Sequence, residues 1–179
     1  MGCPSPVQRL LCLLPLLLLG ACRNPFAPRL GDPRSVWSDQ ATVGGLLENF
    51  RMAYIRQDSL RYAECISCDT YTFNYFDTDL AEYASMPREL DLATTGRLFR
   101  HYEDVDLRWV GISESLSALE TADSLISFTV FFVLTLDATW LDGHARFSVI
   151  RQGGQNAACP SPIFGDDPVF RIVQWDDNL

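Results

Sequence analysis

The chain has 179 residues, with 14 arginines, no lysine and 23 acidic residues, for a formal net charge of −9. That length suits one domain with a substantial core, and such acidity disfavours nucleic acid or anionic lipid head groups as partners. The lack of lysine excludes Schiff-base and lysine-nucleophile chemistry.

Met1 to Ala21 has the three parts of an export signal: a start carrying Arg9 and no acid, an apolar run from Leu10 to Leu19, and small residues Gly20 and Ala21. Ten helical residues rise about 15 Å, roughly half of a bilayer's hydrocarbon core. The segment is therefore too short for a permanent span. Ordinary signal peptidase favours small residues one and three places before the cut, and here the third place is Leu19. Leu19-Gly20-Ala21-Cys22 instead resembles a bacterial lipobox. That resemblance implies cleavage between Ala21 and Cys22, a thioether-linked lipid on Cys22, and residence in the cell envelope, at the outer membrane, its periplasmic face or the cell surface. Two acyl chains suffice for stable anchoring.

Removing residues 1–21 from 179 leaves 158. Residues 22–37 contain Pro25, Pro28, Pro33 and Gly31 without apolar periodicity, the composition of a flexible tether. Residues 38–179 carry the domain. Ser38 or Asp39 can cap a helix to about Gln57, with Val43, Leu46, Leu47, Phe50 and Tyr54 on one face. Gly44 and Gly45 predict a weak or closely packed first turn. Asp58 caps a short helix carrying Leu60, Tyr62, Ala63 and Ile66. Asp69 to Phe76 alternates as a strand, with Tyr71, Phe73 and Tyr75 on one side. Asp77 to Pro87 reads as irregular, and Arg88 to Tyr102 as a helix with Leu92, Phe99 and Tyr102 in register.

The remainder predicts strands. Val105 to Ser113 alternates. Leu125 to Trp140 is apolar on both sides through its middle, the pattern of a central strand covered on both faces. Asp142-Gly143 predicts a hairpin turn into His144 to Arg151. Gly153 to Pro168 is a loop holding Cys159, and Val169 to Trp175 closes the chain as a strand.

The order of these elements resembles the NTF2-like fold, which includes SnoaL-like and ketosteroid-isomerase-like proteins. "LLENFRMAYIRQDSLRYAECISCDTYTFNYF" (Leu46 to Phe76) is similar to the family's opening, and "FRIVQWDDN" (Phe170 to Asn178) to its closing strand. The resemblance implies an α+β cone: about three helices packed on a curved, mainly antiparallel sheet, with a pocket at the open end. Members include enzymes and non-catalytic binding modules, so fold alone does not assign an activity.

An isomerase-like site needs a carboxylate beside an apolar ligand and a phenol or neutral acid as donor. Tyr54, Tyr62, Tyr71 and Tyr75 supply phenols, Phe73 an apolar wall, and Asp137 a carboxylate within the long apolar strand. Against this stand core packing for the tyrosines and a strand-end role for Asp137. His101 and His144 have no metal-ligand spacing, and no motif calls for a cofactor. Asp176 and Asp177 read as solvated. Cys65, Cys68 and Cys159 are expected to be unreactive, with Cys68–Cys159 the candidate disulfide. Expected partners are the membrane through Cys22, a small apolar ligand or another envelope protein, and a second copy through a sheet face bearing Phe131, Val133 and Trp109. A non-catalytic module is favoured over an enzyme.

Overall fold

The computed structural model describes residues 36–114, 125–153, 161, 163–165 and 167–178. Cys22, the proposed tether up to residue 35, and Cys159 lie outside them. In chain order the elements are α1 (Val43–Ile55), α2 (Ser59–Cys65), β1 (Thr72–Asp77), β2 (Glu82–Pro87), α3 (Arg88–His101), β3 (Val105–Ile112), β4 (Ile126–Leu136), β5 (Thr139–Gln152) and β6 (Val169–Asn178). The strands form one sheet in the order β2-β1-β6-β5-β4-β3. The β1–β6 pair is parallel and the rest are antiparallel.

The predicted face of α1 is the buried one: Val43, Leu46, Leu47, Phe50 and Tyr54 are all buried. Its cap is Thr42 rather than Ser38 or Asp39, and the Thr42 hydroxyl accepts from Gly45 N at 2.9 Å. Ser38 serves the segment before the helix, accepting from Gln40 N at 3.0 Å and donating its own N–H to Asn49 Oδ1 at 2.8 Å. Gly45 is closely packed, because a Cβ there would overlap Ser38 Oγ. Gln40 is wholly buried; its Nε2 donates to Phe170 O at 2.7 Å and Glu64 O at 3.1 Å, and its Oε1 accepts from Asn49 at 3.0 Å. Asp58 caps α2 as predicted, accepting from Leu60 and Arg61. Tyr62 and Ile66 are fully buried, whereas Leu60 is exposed.

Three strand expectations are corrected. The irregular stretch before Pro87 contains β2, which pairs with β1 from Thr72↔Pro87 to Asp77↔Glu82; as an exposed edge strand it shows no clean alternation. The long strand turns at Asp137-Ala138, with Leu136 paired to Thr139, and Asp142-Gly143 lie inside β5 opposite Val133 and Phe132. Asp137 has φ 52°, a left-handed conformation that Asp tolerates better than most residues. Finally, β4 is covered on one face only. Ile126, Phe128, Val130, Phe132 and Leu136 are buried, while Ser127 and Phe131 face out.

Two irregularities bend the sheet. The β3–β4 register shifts between Trp109 and Gly111, leaving Val110 exposed, and the β5–β6 register shifts between Ser148 and Val149. Trp109 turns inward, its indole N–H donating to Leu47 O at 3.0 Å, so it leaves the outer face to Phe131 and the half-buried Val133. Cys65 is a free, buried thiol and Cys68 is disulfide-bonded. Among the described residues no helix is long and apolar enough to cross a membrane.

Candidate functional site

Between the helices and the inner sheet face lies a cavity of about 310 Å³, within the range of small-molecule sites and the liquid volume of about ten waters. Its walls follow from periodicity. On α1, Phe50 and Tyr54 are four residues apart and share a face, their rings stacked at 5.2 Å. Strand alternation brings Phe132 and Leu134, Ala145 and Phe147, and Trp175 and Asp177 to the same side of the sheet. Trp175 packs edge-on against Phe73 at 4.7 Å and Phe50 at 5.5 Å. Aromatic pairs in such geometry each contribute about 0.5–1.5 kcal/mol beyond area burial.

The polar centre of the site is Asp91. It lies in the first turn of α3, where a carboxylate meets the positive end of the helix dipole. Asp91, Thr95 and Phe99 form the buried stripe of that helix, and Asp91, Thr94 and Thr95 line the cavity. Asp91 is 4% exposed. Its Oδ2 accepts from the Tyr62 hydroxyl at 2.6 Å, and Tyr62 itself is sealed in the core behind it. The Tyr71 hydroxyl faces the same two groups but is buried without a hydrogen bond of strict geometry. Burial raises the Asp91 carboxyl above its ordinary range; Tyr62, Tyr71 and the charge of Arg88 oppose that shift without cancelling it. Burial likewise pushes the phenols of Tyr54, Tyr62 and Tyr71 far up, so all three stay protonated.

Of the residues singled out from sequence, Tyr54 and Phe73 line the cavity, while Tyr71 and Tyr75 do not. Tyr71 stands behind Asp91, and Tyr75 stacks on Phe73 at 5.7 Å. Asp137 is an exposed turn residue away from the site. Its Oδ1 accepts from Glu103 N at 3.0 Å and Asp104 N at 2.9 Å, pinning the α3–β3 connection to the β4–β5 turn. Asp177 is half-buried and lines the cavity instead of being fully solvated. Asp176 accepts from Asn74 Nδ2 at 2.6 Å and Gln174 Nε2 at 2.8 Å. Among the described residues no group of three His, Cys, Asp or Glu is placed to hold a metal ion. Sequence reasoning missed Asp91. Its signal was the four-residue spacing to Thr95 and Phe99.

No protein-family model matches the chain, and no curated protein matches it. Solved structures do. A protein of Kribbella flavida superposes with a TM-score of 0.51 at 12% identity, over 78% of this chain and 89% of that one. An NTF2-like protein of unknown function from Shewanella baltica gives a TM-score of 0.49 at 10% identity, over 74% of this chain and 86% of its own. Identities this low speak to fold alone. The observed architecture, with β1 and β2 between the second and third helices and a mixed sheet, is α+β.

Proposed function

We propose that this chain is a lipid-anchored bacterial envelope protein whose NTF2-like domain binds a small, largely apolar ligand without transforming it. The observation that carries the binding reading is the aromatic cavity of about 310 Å³ with one deeply buried carboxylate, Asp91, in its wall. Burying a carboxyl in an apolar wall is costly unless it serves fold or ligand, and Asp91 is held in place by Tyr62. The anchor rests on the lipobox at Cys22. Mass spectrometry of natively extracted protein should find a co-purifying small molecule that is lost when Phe147→Trp fills the cavity. Detergent phase separation should place mature protein in the detergent phase and Cys22→Ser in the aqueous phase. Protein that carries nothing in any extraction, or that stays aqueous with Cys22 intact, overturns the corresponding half.

The second reading is a ketosteroid-isomerase-like or SnoaL-like enzyme, an isomerase or hydrolase with an acid–tyrosine pocket. The buried Asp91–Tyr62 pair favours it, since a raised carboxyl suits general acid–base work. The binding reading is preferred because Tyr62 donates its hydrogen bond to Asp91 and does not line the cavity. The phenol that does line it is Tyr54, whose near neighbours are Thr95 and Tyr62. Turnover abolished by both Asp91→Asn and Tyr54→Phe would decide for the enzyme.

A further inference from the structure

Resting on the ligand-binding reading above, we infer that the ligand is an apolar body bearing a carbonyl-type oxygen, which accepts the indole N–H of Trp175. Trp175 lines the cavity from β6. In register it lies between Phe73 of the parallel strand β1 and Phe147 of the antiparallel strand β5, and Phe50 reaches it from α1. These three rings stand steeply against the indole, at 4.7, 5.6 and 5.5 Å and interplanar angles of 85°, 85° and 74°. None of them offers an oxygen or a nitrogen. Trp175 Nε1 is accordingly buried with no hydrogen-bond partner among the described residues. Trp109, in the same wall, gives the contrast: its N–H is satisfied by Leu47 O.

A buried donor left without an acceptor is penalised, and such groups are uncommon in native structures. The phenols around the site do not share the problem. The Tyr54 hydroxyl has Thr95 and Tyr62 as near neighbours, and the Tyr62 hydroxyl serves Asp91. An indole N–H is a donor only, fixed in the plane of its ring, so it cannot turn toward another group. A ring face is a weak acceptor. Water is a poor one here, because a buried water needs two to four polar partners and the rings around the indole supply none. A pure hydrocarbon would fill the volume and leave the N–H unsatisfied. A carbonyl oxygen satisfies it, while the remainder of the ligand packs on the rings.

The test uses the full-length chain in detergent and two probes that differ only in the acceptor. They are benzoylcyclohexane and (cyclohexylmethyl)benzene, in which a methylene replaces the carbonyl. The Trp175 indole signal, assigned through its NOEs to the rings of Phe73 and Phe147, is followed by heteronuclear NMR during titration. The ketone should move the indole proton downfield beyond any shift that the hydrocarbon causes. The ratio of ketone to hydrocarbon affinity should fall about tenfold in Trp175→Phe. Hydration of the ketone and partition into micelles are common to both proteins and cancel in that comparison. A folding defect in the variant leaves the wild-type shift as the readout. Equal shifts from the two probes, or an unchanged ratio in a folded variant, overturns the acceptor assignment while leaving a ligand cavity standing. A ketone-bound indole proton that still contacts water overturns it too. Binding of neither probe also overturns the inference, and mass spectrometry of the native extract then decides the ligand-binding reading by itself.

Discussion

The Tyr62 hydroxyl lies 2.6 Å from Asp91 Oδ2 with both side chains buried, a length typical of a charge-assisted O–H···O bond. The acid it serves is nonetheless raised, chiefly by burial. A folded-state value above the unfolded one means that the native protein keeps this proton longer. The stabilisation is therefore complete below the ordinary carboxylate range near 3.8 and is lost as pH rises through the raised folded value. Asp91→Asn should remove that loss. Urea unfolding between about pH 4 and about pH 8 should show the variant gaining on wild type as pH rises; parallel curves would contradict the assignment.

Tyr62→Phe removes the donor and leaves the carboxyl buried. The expected cost is about 1–3 kcal/mol, growing with pH because Asp91 loses the hydrogen bond that lowers its value. A loss independent of pH would mean that Tyr62 acts through packing alone.

Asp137 stabilises a turn and takes no part in the site. Asp137→Ala loses the acceptor for Glu103 N and Asp104 N and strains a left-handed φ, so it should cost about 1–2 kcal/mol. Asp137→Asn, which keeps an acceptor and tolerates that φ, should melt within a few degrees of wild type. Neither should change ligand binding, and a binding defect in Asp137→Asn would return this residue to the site.

Gln40 ties the segment before α1 to both α2 and β6. Gln40→Met keeps the volume but removes the donor to the Phe170 and Glu64 carbonyls and one of the two acceptors of the Asn49 amide, which keeps Ser38 O. A loss of about 3 kcal/mol is expected. Chemical denaturation measures it, and a neutral result would show that water or a repacked side chain replaces the amide.

Glu64 and Arg171 form an ion pair at 3.0 Å with side chains 12% and 7% exposed, and Glu64 also accepts from Ser161. Removing either partner strands a buried charge, at about 3–5 kcal/mol, whereas replacing both with apolar residues costs much less. A double-mutant cycle with Glu64→Leu and Arg171→Met should therefore be strongly non-additive. Additive losses would mean that the pair is uncoupled.

What the sequence disclosed depended on how strictly each element's environment constrains it. Helix α1 buries one whole face, so its 3.6-residue spacing was plain, and Asp58 announced α2 because a cap has a fixed chemistry. Strand β2 was hidden because an edge strand with Glu82 and Tyr83 exposed is under no pressure to alternate. The hairpin was misplaced because Asp137-Ala138 makes the turn without glycine, while Asp142-Gly143 carries a turn's composition inside a strand. Asp91 escaped because an acid in a helix's first turn is ordinarily accounted for by the dipole. Only the fold, by placing Tyr62 and the cavity beside it, turns that position into a buried group.

Cys65 adds a practical consequence. Its thiol is fully buried between Arg61 O at 3.3 Å and Gln40 Oε1 at 3.9 Å, and burial pushes it well above the usual range for a thiol. Cys68 is already oxidised. Alkylation of Cys65 therefore requires the structure to open, and its rate counts those openings. A thiol reagent applied to the folded protein would read the stability of this domain, and every substitution above could be ranked on that clock.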